Sequence, residues 1–159
     1  YERDASNIID YVKNEESDPW QANNIREIMT DGIELNMGYK FYLGNFREQS
    51  INIGFSNIDD NLLETDFTFS RYALNSLKNH ITATYSFEIN EKISSTIAFK
   101  NAERVNDKKY SVIDFRSSYN FDKFTLSVIF NNILDAEYSE TNLVPMPGFN
   151  SLAEIKYSF

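Results

Sequence analysis

The sequence predicts an all-β protein: antiparallel strands of a transmembrane β-barrel, about eight of them in meander order. Three observations carry this. Apolar and polar residues alternate with a period of two in segment after segment. The connections between segments are alternately tight and long. Aromatic residues gather toward segment ends. The composition agrees, with 15% aromatics, 13 Phe and 10 Tyr, only three Pro, and a mean hydropathy of −0.47. No run of 18 apolar residues exists, so a transmembrane helix is excluded. Barrel strands escape that test because one face is polar.

The first strand falls at 5–13 (ASNIIDYVK), with poor alternation, followed by a polar loop at 14–21 with Pro19 and Trp20. In the second, at 23–42, Ile33, Leu35, Met37, Tyr39 and Phe41 alternate with Glu34, Asn36, Gly38, Lys40 and Tyr42. LGNF at 43–46 reads as a tight turn. Ile51, Ile53 and Phe55 define a third strand, before a long polar stretch at 57–78. The fourth is the cleanest: Ile81, Ala83, Tyr85, Phe87 and Ile89 against Thr82, Thr84, Ser86 and Glu88. Asn90 and Glu91 turn the chain into a fifth strand carrying Ile93, Ile97 and Phe99, and a charged loop spans 101–109. Ile113, Phe115, Tyr119 and Phe121 mark the sixth. Asp122–Lys123 turns into the seventh, with Phe124, Leu126, Val128 and Phe130. After a loop at 133–148, FNSLAEIKYSF at 149–159 is the eighth, ending on an aromatic.

Short turns on one side and long polar loops on the other match the periplasmic and extracellular ends of outer-membrane barrels. That rule places Phe159 in the periplasm. A soluble β-sandwich also alternates, with its apolar face inward. The rings near strand ends, Tyr39, Phe41, Phe121, Phe124, Tyr157 and Phe159, favour the barrel, whose lipid–water interfaces need such girdles.

A formal charge of −9 argues against nucleic acid as a partner. Cysteine is absent, which excludes disulfides and thiolate metal sites. The chain opens on YERDASNIID, with neither Met nor a signal sequence, and so reads as a mature piece or the C-terminal part of a longer protein. No catalytic set emerges, so the chain is not expected to be an enzyme. His80 reads as a rim residue. Asp59, Asp60, Glu64 and Asp66 share a stretch where oxygen ligands could hold Ca²⁺, but without EF-hand spacing a solvated loop is the simpler reading; no cofactor is expected. Trp20, Phe67, Phe69, Arg71 and Tyr72 are the candidate ligand-binding residues, as loop aromatics beside a cation. Charges of both signs, Glu34, Lys40, Glu88, Lys100, Asp114, Arg116, Glu154 and Lys156, fall on the polar faces, which suits a wet interior.

NNILDAEY at 131–138, PMPGF at 145–149 and a last strand ending YSF together resemble the end of TonB-dependent outer-membrane receptors. Thr30–Glu34 is similar to a Thr-x-Gly-x-Glu element of that family, and DPW with SRYALN at 70–75 looks most like the cobalamin transporters of Bacteroidetes. Phe149 departs from the Arg that many relatives carry there. The resemblance implies the C-terminal part (1–159) of a 22-stranded barrel in the outer membrane of a Gram-negative bacterium. The remaining strands, the plug domain, TonB and lipid would be its partners, and cobalamin or a ferric siderophore its transported cargo. It also implies that Tyr157 and Phe159 signal to the barrel-assembly machinery. Two alternatives stand beside it: a complete small eight-stranded outer-membrane barrel with a structural or adhesion role, and a soluble β-sandwich binding module.

Overall fold

A computed structural model describes residues 1–44, 47–63, 67–71, 77–104, 109–141 and 144–159. All regular structure among these residues is strand. The long strands are β1 (Glu2–Lys13), β2 (Gln21–Leu43), β3 (Arg47–Leu63), β5 (Leu77–Asn90), β6 (Ile93–Arg104), β7 (Tyr110–Phe121), β8 (Phe124–Asn131) and β11 (Asn150–Tyr157). Three short ones, β4 (Phe69–Ser70), β9 (Ser139–Thr141) and β10 (Val144–Pro145), interrupt the loops. Each segment that alternates in the sequence is one of the long strands. They form one antiparallel sheet in the order β11-β8-β7-β6-β5-β3-β2-β1-β4, with β9 and β10 as a separate hairpin.

The sheet is open. Among the described residues no pairing joins β11 to β1, whose outer side carries only the two residues of β4. The expected transmembrane barrel is therefore corrected to an open meander, and the complete eight-stranded barrel with it. Alternation dictates faces and neighbours, whereas closure depends on strand number, tilt and stagger, which alternation does not encode.

The chain divides into two compact units. The first holds Tyr1–Glu34, Phe55–His80 and Ala102–Lys109. Here β1 pairs with β2 from Glu2↔Asp31 to Val12↔Gln21. Asn7 takes a φ of 57°, a break in the extended backbone behind the poor alternation of this segment. Strands run past their alternating parts because polar side chains bridge them: Asn57 donates to Asn79 at 2.7 Å, and Asn79 to Glu103 at 3.0 Å. Asp59 and Asp60 thus sit on β3 rather than in a loop, and Asp60 accepts a hydrogen bond from Thr30 at 2.6 Å. Glu64 and Asp66 lie outside the described residues. The Tyr1 ring lies over Gly32, where a Cβ would stand 2.6 Å from it, so a larger residue there would move the ring aside.

The second unit holds Leu35–Gly54, Ile81–Asn101 and Tyr110–Phe159. Its registers, such as Tyr119↔Leu126 and Ile155↔Leu126, put like residues on one face. One face carries Leu35, Met37, Ile53, Ile81, Phe121, Leu126 and Ile155 among others, and Ile155 is 73% exposed. The polar face pairs its charges: Lys40 with Glu48 at 2.9 Å, Arg116 with Glu154 at 3.1 Å, and Lys100 with Glu140. Among the described residues of this unit Val112 is the one buried hydrophobic side chain. The unit is a single layer with an uncovered apolar face.

Candidate functional site

In the first unit, the sequence-predicted ligand cluster is partly assembled, around a residue the sequence did not single out. Asp18 shapes the loop after β1, accepting from the Glu15 N–H at 3.0 Å and donating its own N–H to the Glu15 carbonyl at 3.1 Å. This turn brings Trp20 back against Lys13. Pairing of β1 with β4 sets Phe69 opposite Lys13. The Lys13 ammonium lies 5.0 Å from the Trp20 ring centroid and 5.5 Å from that of Phe69, and donates to the Glu16 carbonyl. Arg71 is held by its N–H to the Tyr11 carbonyl at 2.9 Å. Beneath them Asp10 is fully buried and accepts from Ser70. Phe67 is half-buried, and among the described residues no hydrogen bond or ring contact joins it to this cluster. Tyr72 lies outside the described residues. The two best-placed aromatic faces thus already hold a cation of the same chain. Lys13 and Trp20 are seven residues apart in a loop without periodicity, so no pattern marks the pairing. His80 sits half-buried near the start of β5.

In the second unit, the NNILDAEY segment is a folding device. Asn132 and Asp135 both take a φ of 49°. Asn132, 2% exposed, donates its N–H to Asp114 and its amide to the carbonyls of Ala136 and Pro147, and accepts from the Ala136 N–H. Asp135 accepts from the Phe149 N–H at 2.8 Å and leans over Gly148, where a Cβ would stand 2.6 Å from its oxygen. Tyr138 stacks on Tyr110 at 4.5 Å, and the Lys100 ammonium sits over both rings while bonding Glu140. Burial opposes the charge on Lys100, but the bond to Glu140 and the nearby Tyr110 oxygen outweigh it, holding its pKa above the ordinary 10.5. Tyr157 and Phe159 form an aromatic run with Phe124, at 4.9 and 6.2 Å between successive centroids.

Two concavities lie in this second unit. One, of about 440 Å³, is lined by Arg47, Asn90, Glu91, Lys92 and Tyr119 beside the β5–β6 turn. Its cations are engaged, Arg47 with the Ile89 carbonyl and Lys92 over the Phe121 ring. The other, of about 270 Å³, is a groove around Gly38 and Gly54 on the polar face, with Asn36, Asn52, Thr82 and Thr84 along it. Single Asn and Thr residues on three strands carry no sequence signature. Among the described residues no group of three His, Cys, Asp or Glu gathers as a metal site.

No protein-family model matches the chain, and no solved structure does. Among curated proteins, the chain is similar to the polarized growth protein RAX2 of Candida albicans, 29% identical over 154 residues. The match covers 88% of this chain and 11% of that protein, so the chain spans about a tenth of its relative's length. These findings overturn the resemblance to TonB-dependent receptors. With it fall the reading as active transport of cobalamin or a siderophore and the likeness to Bacteroidetes transporters. So do TonB, a plug, further barrel strands, assembly machinery and lipid as partners, and the Gram-negative outer membrane as location. The motifs behind the resemblance have local duties: Asn132, Asp135 and Gly148 close a loop, and Gly32 admits the Tyr1 ring. The comparisons leave this chain similar, over 88% of its length, to a small part of a fungal polarized growth protein.

Proposed function

We propose that the chain is a structural or adhesive interaction module without catalysis of its own, half of a β-sandwich whose apolar face packs on a second sheet. The carrying observation is that face of the second unit. More than a dozen large apolar residues there are at least 37% exposed. At roughly 60 Å² each they present on the order of 800 Å², beyond the patch a monomer ordinarily leaves uncovered. Stable domains bury a sheet's apolar face against a second layer, and sandwich sheets stack about 10 Å apart. The similarity to a protein named for polarized growth rather than for a reaction, matched over 11% of its length, supports a module within a larger assembly.

The test is the 159-residue chain in aqueous buffer without detergent. It should bind the dye ANS and self-associate in sedimentation runs as copies cover one another's faces. The double variant Leu126→Lys, Ile155→Lys should weaken that association by about tenfold or more. A wild-type chain that is monomeric and ANS-silent would sink the reading, as would one monodisperse only in detergent micelles.

A further inference from the structure

We propose that the groove around Gly38 and Gly54 binds a neutral, polyhydroxylated ligand, a saccharide of one or two rings. It lies on the polar face of the second unit, so it stands apart from the apolar face and does not depend on how that face is covered. The groove spans three strands: Asn36 and Gly38 on β2, Asn52 and Gly54 on β3, Thr82 and Thr84 on β5. Its volume, about 270 Å³, lies just under the range of about 300–1,000 Å³ usual for small-molecule pockets.

The chemistry of the lining narrows the ligand. All four polar side chains are uncharged, so an ionic ligand finds no counter-charge there. Each amide offers donors and an acceptor, and each hydroxyl is both. Vicinal sugar hydroxyls, themselves donor and acceptor, match that set. Among the described residues none of these four side chains makes a hydrogen bond within the protein, so their capacity is open to a ligand. The polar-face neighbours Ser86 and Thr96, by contrast, bond each other at 3.1 Å.

The two glycines make the depth. A Cβ on Gly54 would stand 2.6 Å from Thr82 Oγ1 and 2.9 Å from Asn36 Oδ1, and one on Gly38 would stand 2.8 Å from Asn52 Oδ1. The side chains of Thr82, Asn36 and Asn52 therefore lean in over the glycines, which gathers their polar atoms at the floor of the groove. A side chain at either position would collide with these polar atoms and push them apart.

The experiment titrates the full chain with glucose, galactose, mannose, N-acetylglucosamine and maltose, followed by NMR of the Asn side-chain amides. Glucose 6-phosphate serves as the charged control. At least one neutral sugar should bind saturably and shift the Asn36 and Asn52 amide signals, with the phosphate ester binding no better. Asn36→Ala with Asn52→Ala should weaken binding by about tenfold or more, with circular dichroism and the denaturation midpoint unchanged. Gly54→Ala is the second variant and should abolish binding by displacing the Thr82 and Asn36 side chains from their places in the groove. Absence of saturable binding to every sugar overturns the proposal. So does binding that both variants leave intact, or a clear preference for the phosphate ester.

Discussion

Asn132 makes three side-chain hydrogen bonds within its loop, and does so from a left-handed backbone. Asn132→Ala removes three side-chain bonds and puts a Cβ-bearing residue without local compensation into that conformation. It should cost about 3–4 kcal/mol in urea denaturation. Asn132→Gly loses the same bonds but relieves the backbone, and should be less damaging by about 1 kcal/mol. Equal losses would show that the backbone conformation contributes nothing. At Lys13, the single Trp of the chain gives a built-in reporter. Lys13→Met should shift Trp20 emission and lower stability by about 0.5–1 kcal/mol; unchanged emission would place the ammonium elsewhere. Neither duty was legible beforehand. Asn132 stood in a recognisable motif, but a motif does not say whether its residues bind a ligand or a loop. Lys13 had no motif at all.

Among elements, the long strands after β1 were legible because alternate residues face opposite sides of the sheet, and that period survives in the sequence; β1, broken at Asn7, alternates poorly. Their ends were not: Asn57, Asn79 and Glu103 continue the sheet with polar groups on the bridging side, leaving no contrast to read. Strands β4, β9 and β10, two or three residues each, are shorter than a period can register. The β9–β10 hairpin is held by Lys100, Glu140 and the Tyr110–Tyr138 stack. Because the folded pKa of Lys100 is raised, the pair's stabilisation is full below 10.5 and is lost as pH climbs through the raised value. Lys100→Met should therefore cost about 0.5–1 kcal/mol at pH 7 and 9. The gap from wild type should close above pH 10.5, read by urea denaturation at each pH. A gap that widens with alkali would contradict the sign of this linkage.

At the scale of the whole molecule, the all-β class and the meander order came directly from alternation and connection lengths. Closure did not. The same pattern suits a barrel wall and a sandwich half, because both have one apolar and one polar face. The rings at strand ends tilted the sequence reading toward a barrel, and the open edge beside β11 shows that end-placed aromatics do not specify closure. The groove at Gly38 and Gly54 was equally hidden, since three strands must pair before its four polar side chains meet. The association of the isolated chain, and its loss in the Leu126→Lys, Ile155→Lys variant, is the property that belongs to this scale.

The apolar face also holds a few polar groups, and several of them are satisfied sideways. Ser95 donates to Ser117 at 2.9 Å, Tyr85 to Gln49 at 2.7 Å, and Gln49 to the Glu88 carbonyl at 3.3 Å. A covering sheet therefore need offer these groups neither donor nor acceptor. At these positions it has only to match a contour. Substitutions in such a cover would be tolerated as long as volume is kept, so the two halves could drift apart in sequence while continuing to fit.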